Sequence, residues 1–151
     1  MADRNVDLSL ICRVRTRLCA LPLRHVVETL RPLPVEPVAG APPYVLGLAV
    51  IRGALVPVVD AARLLGEQED STERFIIVIA GERRIALAVG GVLGVRALAS
   101  GSLHGMPALL REAGGDVIAS VGLLDSELLL VLRSARLLPE DVVLRAAGGL
   151  R

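Results

Sequence analysis

"GLAVIRGALVPVVD", Gly47–Asp60, is the stretch on which the fold turns. It is apolar except for Arg52 near its middle, followed by Gly53. Its β-branched and small apolar residues read as two strands broken at Arg52-Gly53. A fixed positive charge between two apolar strands needs a setting outside the core. Pro57 has no amide hydrogen, so its strand is expected at a sheet edge or with a bulge there. Asp60 then begins "DAARLLG", where Asp60 suits an N-cap and Gly66 the position past a C-terminus, which predicts a short helix.

Outward from this stretch, the chain reads as further short strands. "LSLICRV" (Leu8–Val14) and "LCALPLRHVVETL" (Leu18–Leu30) form a hairpin about Arg15-Thr16, which places Cys12 directly across from Cys19. "RPLPVEPVAGAPPYV" carries five prolines, which exclude helix and central strand. It is an ordered connector anchored by Leu33, Val35, Val38 and Tyr44. "EQEDSTE" is a surface loop. "RFIIVIAGERRIALAVGGVLGV" is a second hairpin turning at "AGER", with Gly90, Gly91 and Gly94 allowing a bend or bulge. "ALASGSLHGMPALLREAGG" has few periodic signals. "DVIASVGLLDSELLLVLRSARLLPED" is a third hairpin turning near Asp125-Ser126, with a short helical piece at Ser134–Leu138. No exact internal repeat is visible. About nine or ten strands at this spacing predict an all-β sandwich or barrel.

Composition narrows the function. A chain of 151 residues, 53% of them hydrophobic, fits one ordinary domain or two small subdomains sharing a core. The net charge of +1 gives no pointer to nucleic acid. All 17 basic residues are Arg. No uncharged run reaches the ~20 apolar residues of a membrane helix. The start, "MADRNVDLSL", does not read as a signal peptide. Cys12 and Cys19 are the two cysteines, and reduced thiols in a cytoplasmic protein are the simplest reading. His25 and His104 have no partners at zinc-ligand spacing, no serine sits in a nucleophile elbow, and "GGVLG" lacks the phosphate-loop pattern. The expectation is a non-enzymatic protein with no cofactor and no metal.

The order of "LCALPLRHVVETLRPLP", "GAPPYVLGLAVIRGALVPVVDAARLLG", "FIIVIAGERRIALAVGGVLGV" and "SVGLLDSELLLVLRSARLL" resembles the CheW-like coupling proteins of bacterial chemotaxis. The match is most specific at Gly47, Arg52, Gly53, Pro57, Val58 and Asp60, and "ALPL" with "VVETL" adds the acidic Glu28. The resemblance implies two intimately packed five-stranded SH3-like β-barrel subdomains with a hydrophobic core between them. It implies a single CheW-like domain over 7–140 and a C-terminal tail over 141–151. It also implies a non-enzymatic adaptor. Family members couple the cytoplasmic tips of chemoreceptors to the regulatory domain of a CheA-type histidine kinase, without nucleic acid or membrane insertion. They are cytoplasmic and recruited to membrane-associated receptor arrays. A groove between the subdomains takes the receptor helix hairpin, and exposed apolar strand edges dock end-to-end with the kinase's related domain. The chain departs from the family's usual residues at Val50 (Asn), Gly90 and Arg133 (Asp), and Cys12 and Cys19 (aromatic). The departures raise an alternative, a coupler for a specialised non-motility array. A small-ligand-binding β-barrel is the rival from another class, and would need a concave pocket with convergent polar groups.

Five residues are the partner-binding candidates. Arg52 either pairs with an acid to hold a turn or contacts a partner from a groove wall, and a Glu28–Arg52 pair serves both. Gly53 meets a turn requirement or lies in the contact surface. Gly47 permits close approach of backbone or keeps a groove open. Val26 is expected on the same strand face as Glu28, either as plain core or as an apolar contact for a receptor helix.

Overall fold

Uninterrupted apolar runs such as Phe75–Val78 and Ile85–Val89 lack the apolar–polar alternation of a half-exposed strand, so both faces of these strands need cover. The computed structural model, which describes residues 6–69, 71–105 and 117–137, supplies it. The strands are β1 (Val6–Val14), β2 (Arg17–Pro22), β3 (Val26–Leu30), β4 (Val45–Ile51), β5 (Ala54–Asp60), β6 (Arg74–Ala80), β7 (Arg83–Val89), β8 (Gly91–Ala99), β9 (His104–Gly105), β10 (Ile118–Leu124) and β11 (Glu127–Leu132). One short helix, α1 (Ala61–Leu64), follows β5. The strands form two sheets, ordered β8-β1-β2-β11-β10-β9 and β3-β6-β7-β5-β4.

Each sheet encloses a core of its own, and the two share a third. Ile11, Leu18, Ala20, Leu98, Leu129 and Val131 fill the first barrel. Ala49, Ile51, Val56, Val58, Phe75, Ile77, Ala86 and Ala88 fill the second. The alternate residues of the same strands, among them Leu10, Cys12, Cys19, Leu21, Ile76, Val78, Ile85, Leu87, Leu130 and Leu132, pack between the barrels. Period-two alternation thus sends successive side chains to different cores rather than to core and water. Two SH3-like barrels sharing an apolar interface are the fold anticipated above.

The barrels repeat one topology. In the first, β8–β1 and β1–β2 are antiparallel, β2–β11 parallel and β11–β10 antiparallel. In the second, β3–β6, β6–β7, β7–β5 and β5–β4 follow the same series. An ion pair spans the seam of each. Arg96 on edge strand β8 reaches Asp125 in the β10–β11 turn at 3.1 Å. Glu28 on edge strand β3 reaches Arg52 in the β4–β5 turn at 2.6 Å.

Several expectations hold. Cys12 lies directly opposite Cys19, and both are buried free thiols. The hairpin turns fall between β4 and β5, β6 and β7, and β10 and β11. The anticipated bulge occurs where Ile11 pairs Gly94 and Cys12 pairs Val92, leaving Leu93 as the extra residue. Asp60 caps α1, its Oδ1 accepting from the Ala62 N–H at 3.1 Å.

Others are corrected. The run Leu18–Leu30 is not one strand: a 3₁₀ turn at Leu23–His25 breaks it, and β2 and β3 belong to different sheets. Pro22 begins this crossover between the two sheets, and the chain crosses back at Gly90, between β7 and β8. β8 was not expected as a full strand; its glycines and exposed apolar residues hide the signal. Pro57 lies in an interior strand, with no bulge opposite it. Leu48 directs both its N–H and its C=O to Glu36, away from β5. Leu48–Pro57 is therefore a non-hydrogen-bonded pair, and Pro57's imino nitrogen faces β7, whose ladder with β5 begins only at Val58. The expected tail at 141–151, the domain end at 138–140, the chain start at 1–5 and the loop at 106–116 lie outside the described residues.

Candidate functional site

Arg52 answers the question that its sequence raises. Arg52 (φ +54°) and Gly53 (φ +77°) are both left-handed, which makes the β4–β5 connection a two-residue type I′ turn. The turn projects the Arg52 side chain, 73% exposed, over the barrel mouth. Its Nε and Nη2 donate to Glu28 Oε2 and Oε1 at 3.1 and 2.6 Å. The pair is bidentate, the planar geometry that guanidinium offers and ammonium does not. Arg52's hydrogen bond holds the Glu28 carboxyl below its usual range, and the charges of Arg52 and Arg84 act in the same direction against partial desolvation.

Gly53 has open space around its Cβ direction, so the turn alone accounts for it. Gly47 is different. A Cβ there would stand 2.0 Å from the Glu36 carbonyl oxygen and 2.9 Å from Pro37 Cα. The proline-rich connector crosses β4 at this point, with Glu36 N–H and C=O bonded to Leu48 at 2.8 Å each. The close approach that Gly47 permits is to the chain's own backbone.

Val26 does not share a face with Glu28. A bulge between them pairs Val26 with Val78 and Glu28 with Ile77, and successive residues of β6 point to opposite sides. Val26 therefore packs against the core between the barrels, while Glu28 sits at the rim of the second barrel. Of the five candidates, the fold brings Arg52, Gly53 and Glu28 together, and it separates Val26 and Gly47 from them.

Beside Arg52 lies an apolar surface that sequence reading missed. Val50 and Leu55 face each other one pair back from the turn and are 64% and 52% exposed. With Leu33, Pro34, Glu36 and Leu48 they line an open groove of about 520 Å³. The groove is apolar with a single carboxylate, unlike the convergent polar setting of a small-molecule site. The other barrel carries its counterpart. Leu123 and Leu128 face each other one pair back from the type I′ turn Asp125-Ser126, and are 70% and 52% exposed. Each barrel thus ends in an exposed apolar pair beside a charged turn, Arg52 on one and Asp125 on the other. The signal for both was present in "VIRGAL" and "LLDSEL": an apolar residue on each side of a two-residue turn, at parity with the outer face.

A third apolar surface extends from the shared core. Leu8 and Val95 lie on the same face as Leu10 across β1 and β8, and both are exposed, as is Leu93 in the bulge. Among the described residues no group of three His, Cys, Asp or Glu side chains could hold a metal ion. His25 Nδ1 lies 3.1 Å from Ser134 Oγ, and His104 is on β9, exposed. No helix among the described residues is long and apolar enough to cross a membrane.

The family described as the CheW-like domain matches residues 9–142. The chain belongs to the CheW-like domain family. The chemotaxis protein CheW of Klebsiella aerogenes is 24% identical over 110 residues, covering 71% of this chain and 66% of that protein, a little under two thirds of its length. The crystal structure of the scaffolding protein TtCheW from Thermoanaerobacter tengcongensis superposes with a TM-score of 0.75 at 17% identity, over 84% of this chain and 88% of that one. Members of the CheW-like family are non-enzymatic scaffold proteins. Two departures within this CheW-like chain have a visible local effect. Gly90 contributes only its N–H, to the Arg13 carbonyl at 2.9 Å. Arg133 precedes the 3₁₀ turn Ser134–Arg136 as Asp60 precedes α1, but its side chain caps nothing.

Proposed function

We propose that this CheW-like protein is a non-enzymatic adaptor that couples chemoreceptor cytoplasmic tips to the regulatory domain of a CheA-type histidine kinase. The observation that carries the reading is the pair of equivalent apolar tips, Val50–Leu55 and Leu123–Leu128, one at the end of each barrel. A partner domain of the same double-barrel fold would meet such a tip end-to-end. The face formed by Leu8, Leu93 and Val95 beside the inter-barrel core is an apolar strip for a receptor helix hairpin, read as helix-in-groove recognition. Arg52, paired to Glu28, offers such a partner an oriented cation. The mechanism is geometric: two surfaces on one rigid body hold receptor and kinase at a fixed spacing. High effective concentration within an assembly lets modest single affinities suffice. The protein would work in the cytoplasm, recruited to membrane-associated receptor arrays.

The specialised-array alternative is favoured by the changes at Gly90 and Arg133, which remove two acids the family often carries in the first barrel's neighbourhood. Co-purification of the full chain with a receptor tip and with the kinase regulatory domain tests both readings. Binding of both supports the coupler, binding of the receptor without the kinase supports the specialised array, and binding of neither overturns the proposal.

A further inference from the structure

The shared core contains a chemically reactive pair that the adaptor reading does not use. Cys12 and Cys19 are directly opposed on neighbouring antiparallel strands and fully buried. Counting from the closing pair Val14–Arg17, they occupy a hydrogen-bonded position, where Cα atoms stand about 5.5 Å apart. That Cα spacing lies within the disulfide range of about 4.4–6.8 Å, while the Cβ atoms of a hydrogen-bonded pair, about 5.5 Å apart, have to close to about 4 Å, so the bond forms only when the strands shift locally. Both side chains point into the core between the barrels. The equivalent pair in the second barrel, two positions back from the β6–β7 turn, is Val78–Ile85. Aliphatic side chains fill that place, so packing alone does not call for thiols.

We propose that Cys12 and Cys19 form a concealed dithiol that a disulfide-class oxidant converts to an intramolecular bond, locking β1 to β2 at the core both barrels share. The two cysteines have different roles. Cys19 attacks first. Both cysteines lie on interior strands at the same distance from the β1–β2 turn, and Cys19 is the one within reach of the Arg17 and Arg13 charges, with Glu67, paired to Arg17, opposing them. Burial pushes the Cys19 thiol up to about 12, with Arg17 and Arg13 working against that and Glu67 adding to it, and raises Cys12 further with the help of the Cys19 charge. Neither reacts while the core is closed, because the thiolate is the nucleophile and both thiols are held protonated. Local opening at the turn end exposes Cys19. Its thiolate attacks glutathione disulfide and expels one glutathione thiolate. The Cys12 thiolate then attacks the protein sulfur of the mixed disulfide and expels the second glutathione. Two electrons pass from the cysteine sulfurs to the reagent, and two thiol protons leave, which the two glutathione thiolates can take up.

The test is incubation of the full chain with glutathione disulfide, in buffer and in sub-denaturing urea, followed by intact-mass and peptide analysis. The expected product has lost two hydrogens, carries the Cys12–Cys19 crosslink, forms faster in urea, and reverts with dithiothreitol. Cys12→Ser should collect glutathione on Cys19, and Cys19→Ser should react at least about tenfold more slowly. Hydrogen exchange of β1 and β2 amides should slow in the oxidised protein. Accumulation of glutathione adducts on the wild-type chain, or two unreacted thiols in urea, overturns the dithiol. Equal reaction of the two variants overturns the order of attack, and unchanged exchange in the crosslinked protein overturns the lock. Each readout is independent of receptor or kinase binding.

Discussion

Arg52 and Glu28 join the two edge strands of the second barrel, with both guanidinium donors on both carboxylate oxygens at 3.1 and 2.6 Å. Because Arg52 is largely exposed, the pair contributes little to stability, but it fixes the direction in which both side chains face a partner. Arg52→Ala should leave the denaturation midpoint nearly unchanged and weaken receptor binding on the order of tenfold. Glu28→Ala should do the same, and the double variant should lose no more than either single one, since the residues act as a unit. Urea melts and receptor pull-downs from one preparation check this; a collapsed melt would make Arg52 a structural residue, and full binding would remove it from the site.

The same pair has a pH signature. Glu28 has a folded-state pKa below its unfolded one, chiefly through the Arg52 hydrogen bond. Its contribution is therefore complete above the ordinary carboxylate range and is lost as pH falls through the depressed folded value. The Glu28 carboxyl, followed by NMR from pH ~7 to pH ~3, should titrate lower in wild type than in Arg52→Ala. The same midpoint in both proteins would show that the pair does not form in solution.

Gly47 and Gly53 stand six residues apart in one motif and should respond differently. Gly47→Ala drives a Cβ to within 2.0 Å of the Glu36 oxygen and should destabilise by on the order of 2–4 kcal/mol. Gly53→Ala meets no atom within 4 Å and adds only left-handed backbone strain, about 1–2 kcal/mol. Thermal melts of the two variants decide it, and equal losses would mean that the connector yields to the added methyl.

The sequence made the hairpins, the α1 cap and the Cys12–Cys19 register legible because each depends on local chemistry: turn residues, an N-cap, and counting from a turn. The two-barrel arrangement was reached by resemblance, because continuous apolar runs such as Phe75–Val78 do not reveal that alternate residues serve different cores. Local reading failed where tertiary partners decide. The bulge at Val27 turns Val26 away from Glu28, Glu36 satisfies the outer edge of β4, and the crossover at Pro22 sends one apolar run into two sheets. The topological repeat left no trace in the residues, since aliphatic side chains of similar volume substitute for one another in a core.

Asp60 is buried, with Oδ1 capping α1 and Oδ2 lacking a hydrogen-bond partner. Burial raises its pKa despite the backbone donors of Ala62 and Arg63. A raised folded pKa adds stability that is full below the unfolded value and is lost as pH rises through the folded one. Asp60→Asn keeps a capping oxygen without the buried charge, so it should match or exceed wild type at neutral pH. Asp60→Ala should lose about 1 kcal/mol or more with the cap. Denaturant titrations at pH ~7 check the order; Asn clearly below wild type would mean that the charge itself is stabilising.

The apolar tips give the sharpest division between folding and docking. Val50 and Leu123 project outward from hairpins whose inner faces are packed, so replacing either with Asp touches no core. Val50→Asp and Leu123→Asp should each shift stability by no more than about 0.5 kcal/mol. Each should weaken kinase-domain binding by about tenfold or more if its tip lies at the contact centre, where an unpaired carboxylate would have to be desolvated. A domain of the same fold can meet both ends of this one, so the single variants should leave one mode of contact intact. Each single variant should then stop extended assembly while keeping a one-to-one complex through the remaining tip, and the double variant should lose both. Sedimentation of mixtures with the kinase regulatory domain distinguishes the cases. If both single variants bind and assemble as wild type, end-to-end docking through these tips is wrong, and the partner must engage another surface, such as the Leu8–Val95 face.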